Sequence, residues 1–163
     1  MLKKLVSGGL AIAAGAAIWG VAGQDHTIRS PTGAIVKSGQ LGAFVTKLGD
    51  CFASLPSTDS SGLGSVSTVE GIPCTSPHHW QVIFKGALNL GTYDLSQIKL
   101  ESEDICKSDL NKLANTLQSS MVTEYQSAQT NILFPTSDSW SNGDRSVDCI
   151  LGSETQTFSD SLI

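Results

Sequence analysis

Four cysteines, spaced far apart along the chain, constrain the fold more than any other feature of the sequence. They are Cys51, Cys74, Cys106 and Cys149, so successive cysteines lie 23, 32 and 43 residues apart. Zinc ligands usually occur in close pairs, about two to four residues apart, and no such pair occurs here. An even number of widely spaced cysteines instead predicts two disulfides and no metal centre.

Four cysteines allow three disulfide pairings, and their positions do not choose among the three. Segments that follow one another in a chain usually pack together, which favours Cys51 with Cys74 and Cys106 with Cys149. Each bridge of this loop length is expected to stabilise the folded chain by roughly 3–4 kcal/mol.

The N-terminal segment has the three-part pattern of a signal peptide. Lys3 and Lys4 precede an uncharged run rich in alanine and glycine, which ends in small residues before Gln24. The run is also close to the length that crosses a bilayer. Residues 1–23 are therefore predicted to be a signal peptide or an N-terminal membrane anchor, with residues 5–23 as the tether. Either way the rest of the chain is expected to be extracytoplasmic, secreted or anchored to the cell membrane, where disulfides persist.

The charge balance argues against a nucleic-acid partner. Charged residues make up 15% of the chain and the net charge is −5, so no basic surface is available to meet phosphates. The sequence has no glycine-rich phosphate loop and no glycine-flanked nucleophile elbow. These observations predict a protein that is not an enzyme and that uses no cofactor.

The hydrophobic pattern predicts one domain in the exported part. Residues 24–38 are interpreted as a linker and lead-in, residues 39–152 as the domain, and residues 153–163 as a loose polar tail. Alternation of apolar and polar residues predicts strands, most strongly from Trp80 to Leu88.

One helix stands out after the strongest strand. Ser96 or Ser102 is expected to cap it, and Leu110 and Leu113 are expected to pack on the sheet with Phe84. Strands, one helix and further strands predict an α+β fold, an antiparallel sheet with one main helix packed on it and two disulfides.

A series of short motifs, in order along the chain, resembles the septum-formation domain, which is found mostly in exported or membrane-tethered proteins of actinobacteria. The resemblance covers roughly Gly39 to Leu151. At Gln81 the chain departs from the glutamate expected in many relatives. The motifs are Gly49-Asp50-Cys51-Phe52, Ile72-Pro73-Cys74, Pro77-His78, Cys106, Phe134-Pro135-Thr136, Trp140, Gly143, Arg145, Val147 and Cys149.

The resemblance implies a place at the cell envelope and a link to cell division, with an envelope or divisome component as partner. It implies no catalytic residues. The leading hypothesis is a non-enzymatic binding or accessory module. The alternatives are an envelope hydrolase or redox protein with an unrecognised site around His78, and a purely structural accessory domain.

Two groups of residues are candidates for a binding site. Trp140 and Arg145 are expected to lie together beside a hairpin turn, either as an exposed anchor for a partner or stacked within the fold. Asp50 is a candidate carboxylate partner for Arg145. His78 is the other candidate, although a histidine before a strand more often caps a turn, with its neighbour His79 solvated.

Three acidic residues lie close together in the sequence: Glu101, Glu103 and Asp104. A role in the predicted helix explains them more simply than a pair of catalytic carboxylates does. They fall near the start of the predicted helix, where the positive end of the helix dipole favours acidic side chains.

Overall fold

The computed structural model of the protein describes residues 10–14, 23–60, 63–116 and 128–163. Most of the predicted signal or anchor segment, residues 1–23, lies outside the described residues. Its middle part, Leu10–Ala14, forms a short strand, β1, that pairs with two strands of the sheet, which differs from the signal peptide or membrane anchor predicted for this segment. Among the described residues, no helix has both the length and the apolar character needed to span a bilayer.

Within the residues that the structure describes, ten strands and two helices follow one another along the chain. Two short strands, β2 (Ile28–Arg29) and β3 (Ile35–Lys37), form a small hairpin of their own. The remaining elements are β4 (Gly39–Gly42), β5 (Cys51–Phe52), β6 (Leu63–Val66), β7 (Thr68–Ile72), β8 (Trp80–Ala87), α1 (Leu95–Thr116), β9 (Gln129–Pro135), α2 (Ser137–Ser141) and β10 (Ser146–Gly152).

The main sheet has eight strands in the order β4-β7-β5-β8-β10-β9-β1-β6. Neighbours from β4 to β9 run antiparallel, whereas β1 pairs in parallel with both β9 and β6. The sheet is curled, with one main helix packed on it, so the predicted α+β fold class is confirmed.

The two faces of the curled sheet are covered by separate apolar clusters. Along β8, Trp80 and Val82 belong to one cluster and Ile83 to the other, because side chains on a strand alternate between faces. This alternation places a packed core on each side of the strand that the sequence predicted most strongly.

Helix α1 lies over the cluster that contains Ile83. Leu110 is buried there, with Leu113 and Phe84 partly buried at its edge, as the helical spacing predicts. The cap differs from the prediction: Asp94, and neither Ser96 nor Ser102, accepts hydrogen bonds from the first turn through Oδ1. Ser102 lies inside the helix and is buried.

Both predicted disulfides are present. Cys51 is bonded to Cys74, with Cα atoms 5.3 Å apart, and Cys106 to Cys149, with Cα atoms 5.4 Å apart. The second bridge ties α1 to β10, and its two cysteines are part of the core beneath the helix. The first bridge joins the start of β5 to the turn that follows β7.

Candidate functional site

A groove of about 960 Å³ lies beside the Cys51–Cys74 disulfide. Its walls come from residues 32–36 of the β2–β3 hairpin, from two turns at residues 47–51 and 73–76, and from Ser161 and Ile163. The groove thus brings together two of the motifs that carry the family resemblance and two segments that lie outside the predicted domain.

The hairpin wall is held by an ion pair between Arg29 and Asp50. The guanidinium Nη1 and Nη2 donate to Oδ1 and Oδ2 of Asp50 over 2.6 and 2.9 Å, and Nε donates to Asp25 over 2.6 Å. The backbone N–H of Lys47 donates to the same Asp50 carboxylate over 2.7 Å. Asp50 is buried, and its hydrogen bonds to Arg29 raise the pKa of the guanidinium. Residues 24–38, interpreted from sequence as a linker, are therefore fastened to the domain.

The disulfide holds the second wall. It joins Cys51, the first residue of β5, to Cys74 in the turn that follows β7, so neither segment can move without the other. The turn just before β5 needs a glycine, since Gly49 has φ +87°, in the left-handed region that side chains disfavour. Its backbone N–H donates to the carbonyl of Val82 on β8 over 2.8 Å.

The third wall is positioned by the amide of Gln81. Its Nε2 donates to Ser161 Oγ over 2.7 Å and to the carbonyl of Gly49 over 3.2 Å, while Oε1 accepts from the N–H of Leu162 over 2.7 Å. A carboxylate only accepts hydrogen bonds, so a glutamate here would lose both donated bonds. Gln81, at a position where the resemblance predicts glutamate, therefore has a structural role in this chain.

Residues 153–163 are packed, which corrects the expectation of a loose tail. Phe158 and Leu162 are buried in the core cluster beneath α1. The backbone of Phe158 exchanges two hydrogen bonds of 2.8 Å with His78, forming an isolated bridge. The apolar residues in this segment are too few to predict an element, but Phe158 and Leu162 occupy core positions.

Three apolar side chains on the rim of the groove face solvent. Leu48 is 58% exposed, Val36 54% and Ile163 50%. Two charged residues line the groove, and Asp50 is neutralised by Arg29. Lys47 is exposed and has no ion-pair partner in the part of the chain that the structure describes. The rim therefore presents apolar surface with one free positive charge.

His78 lies outside the groove and is buried. Its Nδ1 is 2.9 Å from the carbonyl oxygen of Ser76, and its ring lies 6.2 Å from that of Phe158. Its Nε2 has no hydrogen-bond partner among the described residues. His79 is half-buried, with Nδ1 2.9 Å from the carbonyl oxygen of Ser153, so it is less solvated than expected. His78 closes a turn, and water-borne substrates have no direct path to its ring.

Trp140 and Arg145 lie together, but Trp140 is only 7% exposed. The guanidinium carbon of Arg145 lies 3.5 Å from the centre of the indole ring, and Nη1 donates to the carbonyls of Trp140 and Asp144. Tyr93 packs its ring against the indole at 5.9 Å. The expectation of an exposed anchor is therefore wrong for Trp140, which stacks within the fold. The proposed pairing of Asp50 with Arg145 is wrong as well, because Arg29 occupies both carboxylate oxygens.

A buried polar cluster at the other end of β8 was not predicted from the sequence. Lys85 Nζ lies 2.5 Å from Oδ1 of Asp148 and donates to Thr46 Oγ1 over 2.9 Å, while the Thr46 hydroxyl also hydrogen-bonds Asp148. Lys85 and Asp148 face each other in the β8–β10 register. Burial raises the pKa of Asp148, and the attraction of the Lys85 ammonium only partly opposes this.

The raised pKa of Asp148 predicts how stability depends on pH. The folded state favours the protonated carboxyl, so the stabilisation from protonation is complete below the ordinary pKa of 3.8 and is lost as pH rises through the folded value. We expect the stability advantage of the wild type over Asp148→Asn to shrink as pH rises. Urea unfolding of both proteins between about pH 3 and pH 8 measures this difference.

Asp109→Asn supplies the control for that series, because Asp109 pairs with the exposed Lys112 on the outer side of α1. An advantage of the wild type over Asp148→Asn that stayed level or grew with pH would contradict the prediction.

No group of three or more histidine, cysteine or acidic side chains within the described ranges is arranged to hold a metal ion. Helix α1 begins at Leu95 and has no acidic residue in its first turn, so the helix-dipole role expected for Glu101, Glu103 and Asp104 is wrong. Glu101 accepts a hydrogen bond from the backbone N–H of Asn89 over 2.8 Å, which ties α1 to the loop after β8.

Comparison with known proteins gives one family. A sequence model of the family described as septum formation matches residues 20–149, which is most of the chain. No curated protein and no solved structure gives a significant match. The matched residues include both disulfides and the motif residues on two walls of the groove.

Proposed function

The chain belongs to the septum-formation family, and from this membership we propose that it is an exported binding module that engages an extended segment of another cell-envelope protein. The protein acts without catalysis. Its partner is a component of the envelope or of the division machinery. The binding site is the groove beside Cys51–Cys74.

Location outside the cytoplasm is supported by the disulfides and by the family. Two intramolecular bridges connect all four cysteines, and such bridges persist in oxidising compartments. Export of residues 24–163 is supported by the signal-peptide pattern of the N-terminal segment. Whether that segment is cleaved or retained as an anchor decides between a secreted and a membrane-tethered protein.

The arrangement of the groove walls is the observation that carries the proposal. Each wall is held by a different interaction: the Arg29–Asp50 ion pair, the Cys51–Cys74 disulfide and the hydrogen bonds of the Gln81 amide. Burying an ion pair and a fully hydrogen-bonded amide contributes little net stability, because the groups must be desolvated. These interactions instead fix the positions of the groove walls, which keeps the apolar rim exposed to solvent.

The chemistry of the rim favours an extended peptide as the occupant. Three exposed apolar side chains suit the apolar residues of a peptide, and the unpaired ammonium of Lys47 suits an acidic residue beside them. The two turns on either side of the disulfide form a rigid frame, which reduces the entropy lost on binding. Isolated exposed apolar residues are common, but three around one groove are a feature of binding surfaces.

Site-directed variants of two equally exposed leucines test the proposal. Leu48→Asp places a charge on the rim, whereas Leu100→Asp places one on the outer side of α1, and the two leucines are 58% and 57% exposed. We expect Leu48→Asp to fail in complementing a strain that lacks the protein, and Leu100→Asp to complement it fully. Protein abundance and melting temperature are measured for both.

A photo-reactive residue at the same two positions gives a second measurement. We expect position 48 to crosslink to a defined envelope protein, and position 100 to give no such product. If both aspartate variants complement, the groove is not the binding site. If His78→Ala abolishes complementation at normal abundance while Leu48→Asp does not, the enzyme hypothesis replaces this one.

A further inference from the structure

The two disulfides differ in their access to solvent. Cys106 and Cys149 are 1% and 0% exposed and lie in the core beneath α1. Cys51 is also fully buried, but Cys74 is half-buried, and both line the groove. Cys74 is therefore the most accessible of the four cysteines to a thiolate from another protein.

Polar groups around Cys74 are already placed for the reduced form. The carbonyl oxygen of Gly49 lies 3.2 Å from Cys74 Sγ and 3.8 Å from Cys51 Sγ. Neither sulfur carries a proton in the disulfide, so this carbonyl, which already accepts from Gln81 Nε2, can accept from a cysteine only after reduction forms a thiol. The Nε2 of Gln81 lies 3.8 Å from Cys74 Sγ, close enough for one of its two N–H bonds to turn from Gly49 or Ser161 to a thiolate. Hydrogen-bond donors near a cysteine favour its thiolate form.

We propose that Cys51–Cys74 is a thiol–disulfide exchange site, attacked at Cys74 by an exported dithiol oxidoreductase. The attacking thiolate bonds to Cys74 Sγ while the Cys51–Cys74 bond breaks, and Cys51 leaves as a thiolate that takes a proton from water. The second thiol of the oxidoreductase, once deprotonated, then attacks its partner sulfur, and Cys74 leaves as a thiolate. One protein disulfide and two thiols become two protein thiols and one disulfide, so two electrons pass to the chain.

Reduction of this disulfide loosens one wall of the groove and leaves the rest of the fold intact. Without the bridge, the turns at residues 47–51 and 73–76 are no longer joined covalently. The Cys106–Cys149 bridge still ties α1 to β10, and the Arg29–Asp50 pair still holds the hairpin. The exchange therefore acts on the wall of the groove and leaves the core intact.

Differential alkylation of the full chain tests the proposal. The folded protein is incubated with a thioredoxin-type dithiol protein, the exchange is stopped with acid at successive times, and the thiols formed are alkylated after denaturation. We expect Cys51 and Cys74 to be labelled at least about tenfold faster than Cys106 and Cys149, because exchange rates depend on access. Equal labelling of the two pairs, or earlier labelling of Cys106 and Cys149, would overturn the proposal.

A trapping experiment identifies the attacked sulfur. An oxidoreductase whose second cysteine is replaced by serine cannot complete the reaction and stays bonded to its target. We expect the mixed disulfide to be linked through Cys74, both in the wild type and in a Cys106→Ala/Cys149→Ala variant that remains folded. A product linked through Cys51, or the absence of a mixed disulfide in both proteins, contradicts the assignment.

Discussion

Arg29→Ala is expected to lower the free energy of unfolding by roughly 3–5 kcal/mol. The substitution leaves the carboxylate of Asp50 buried without its bidentate partner, and only the backbone N–H of Lys47 remains as a charge-stabilising donor in the turn. An uncompensated buried charge is far more destabilising than the intact pair is stabilising. Denaturant unfolding monitored by circular dichroism measures the change.

Two variants make the result specific. Arg29→Ala/Asp50→Ala removes both charges and is expected to recover part of the loss, because no buried charge is then left unpaired. Lys112→Ala breaks the exposed pair with Asp109, where Lys112 is 72% exposed, and is expected to change stability by less than about 0.5 kcal/mol. A loss below about 1 kcal/mol for Arg29→Ala would mean that Asp50 reaches water and that the Arg29–Asp50 ion pair does not hold the hairpin wall in place.

Removal of the Cys106–Cys149 bridge, by alanine at both positions, is expected to lower stability by about 4 kcal/mol. The bridge closes a loop of 43 residues, so the unfolded chain regains a large entropy when it is lost. Both cysteines are buried in the core, and smaller side chains there also leave unfilled volume. Equilibrium unfolding in urea under non-reducing conditions is the measurement.

The companion variant Cys51→Ala/Cys74→Ala separates the roles of the two bridges. The bridge that it removes closes a loop of 23 residues. The variant is expected to lose about 3 kcal/mol of unfolding free energy, with α1 still protected from hydrogen exchange. The Cys106→Ala/Cys149→Ala variant should instead lose protection in α1. Unchanged exchange in α1 would show that the helix is held by its apolar face alone.

Several elements of the fold followed from local patterns. The alternation on β8 and the helical spacing of Leu110 and Leu113 repeat within a few residues, so they can be recognised without knowing any long-range contact. The disulfide pairing agreed with the expectation that neighbouring segments pack together, because Cys51 bonded Cys74 and Cys106 bonded Cys149.

The candidate site was only partly predictable. Cys51, Cys74 and Asp50 were singled out because they lie in the motifs, but the carboxylate was assigned to the wrong arginine. Arg29 stands in a segment interpreted as a linker, and no local pattern connects it to a residue 21 positions away. Trp140 was predicted to be either an exposed anchor or stacked on Arg145 within the fold, and the structure shows the stacked arrangement, with α2 packing the ring inward.

The sequence was sufficient for the cysteine framework, the main helix and the α+β class, because these depend on composition and on short periodic patterns. The groove depended on tertiary structure. Gln81 meets Ser161 and Leu162 across 80 and 81 positions, and Thr46 meets Asp148 across 102. Such contacts arise from strand order and register, which a short segment of sequence does not encode, since a shift of one residue would turn each side chain to the other face of the sheet.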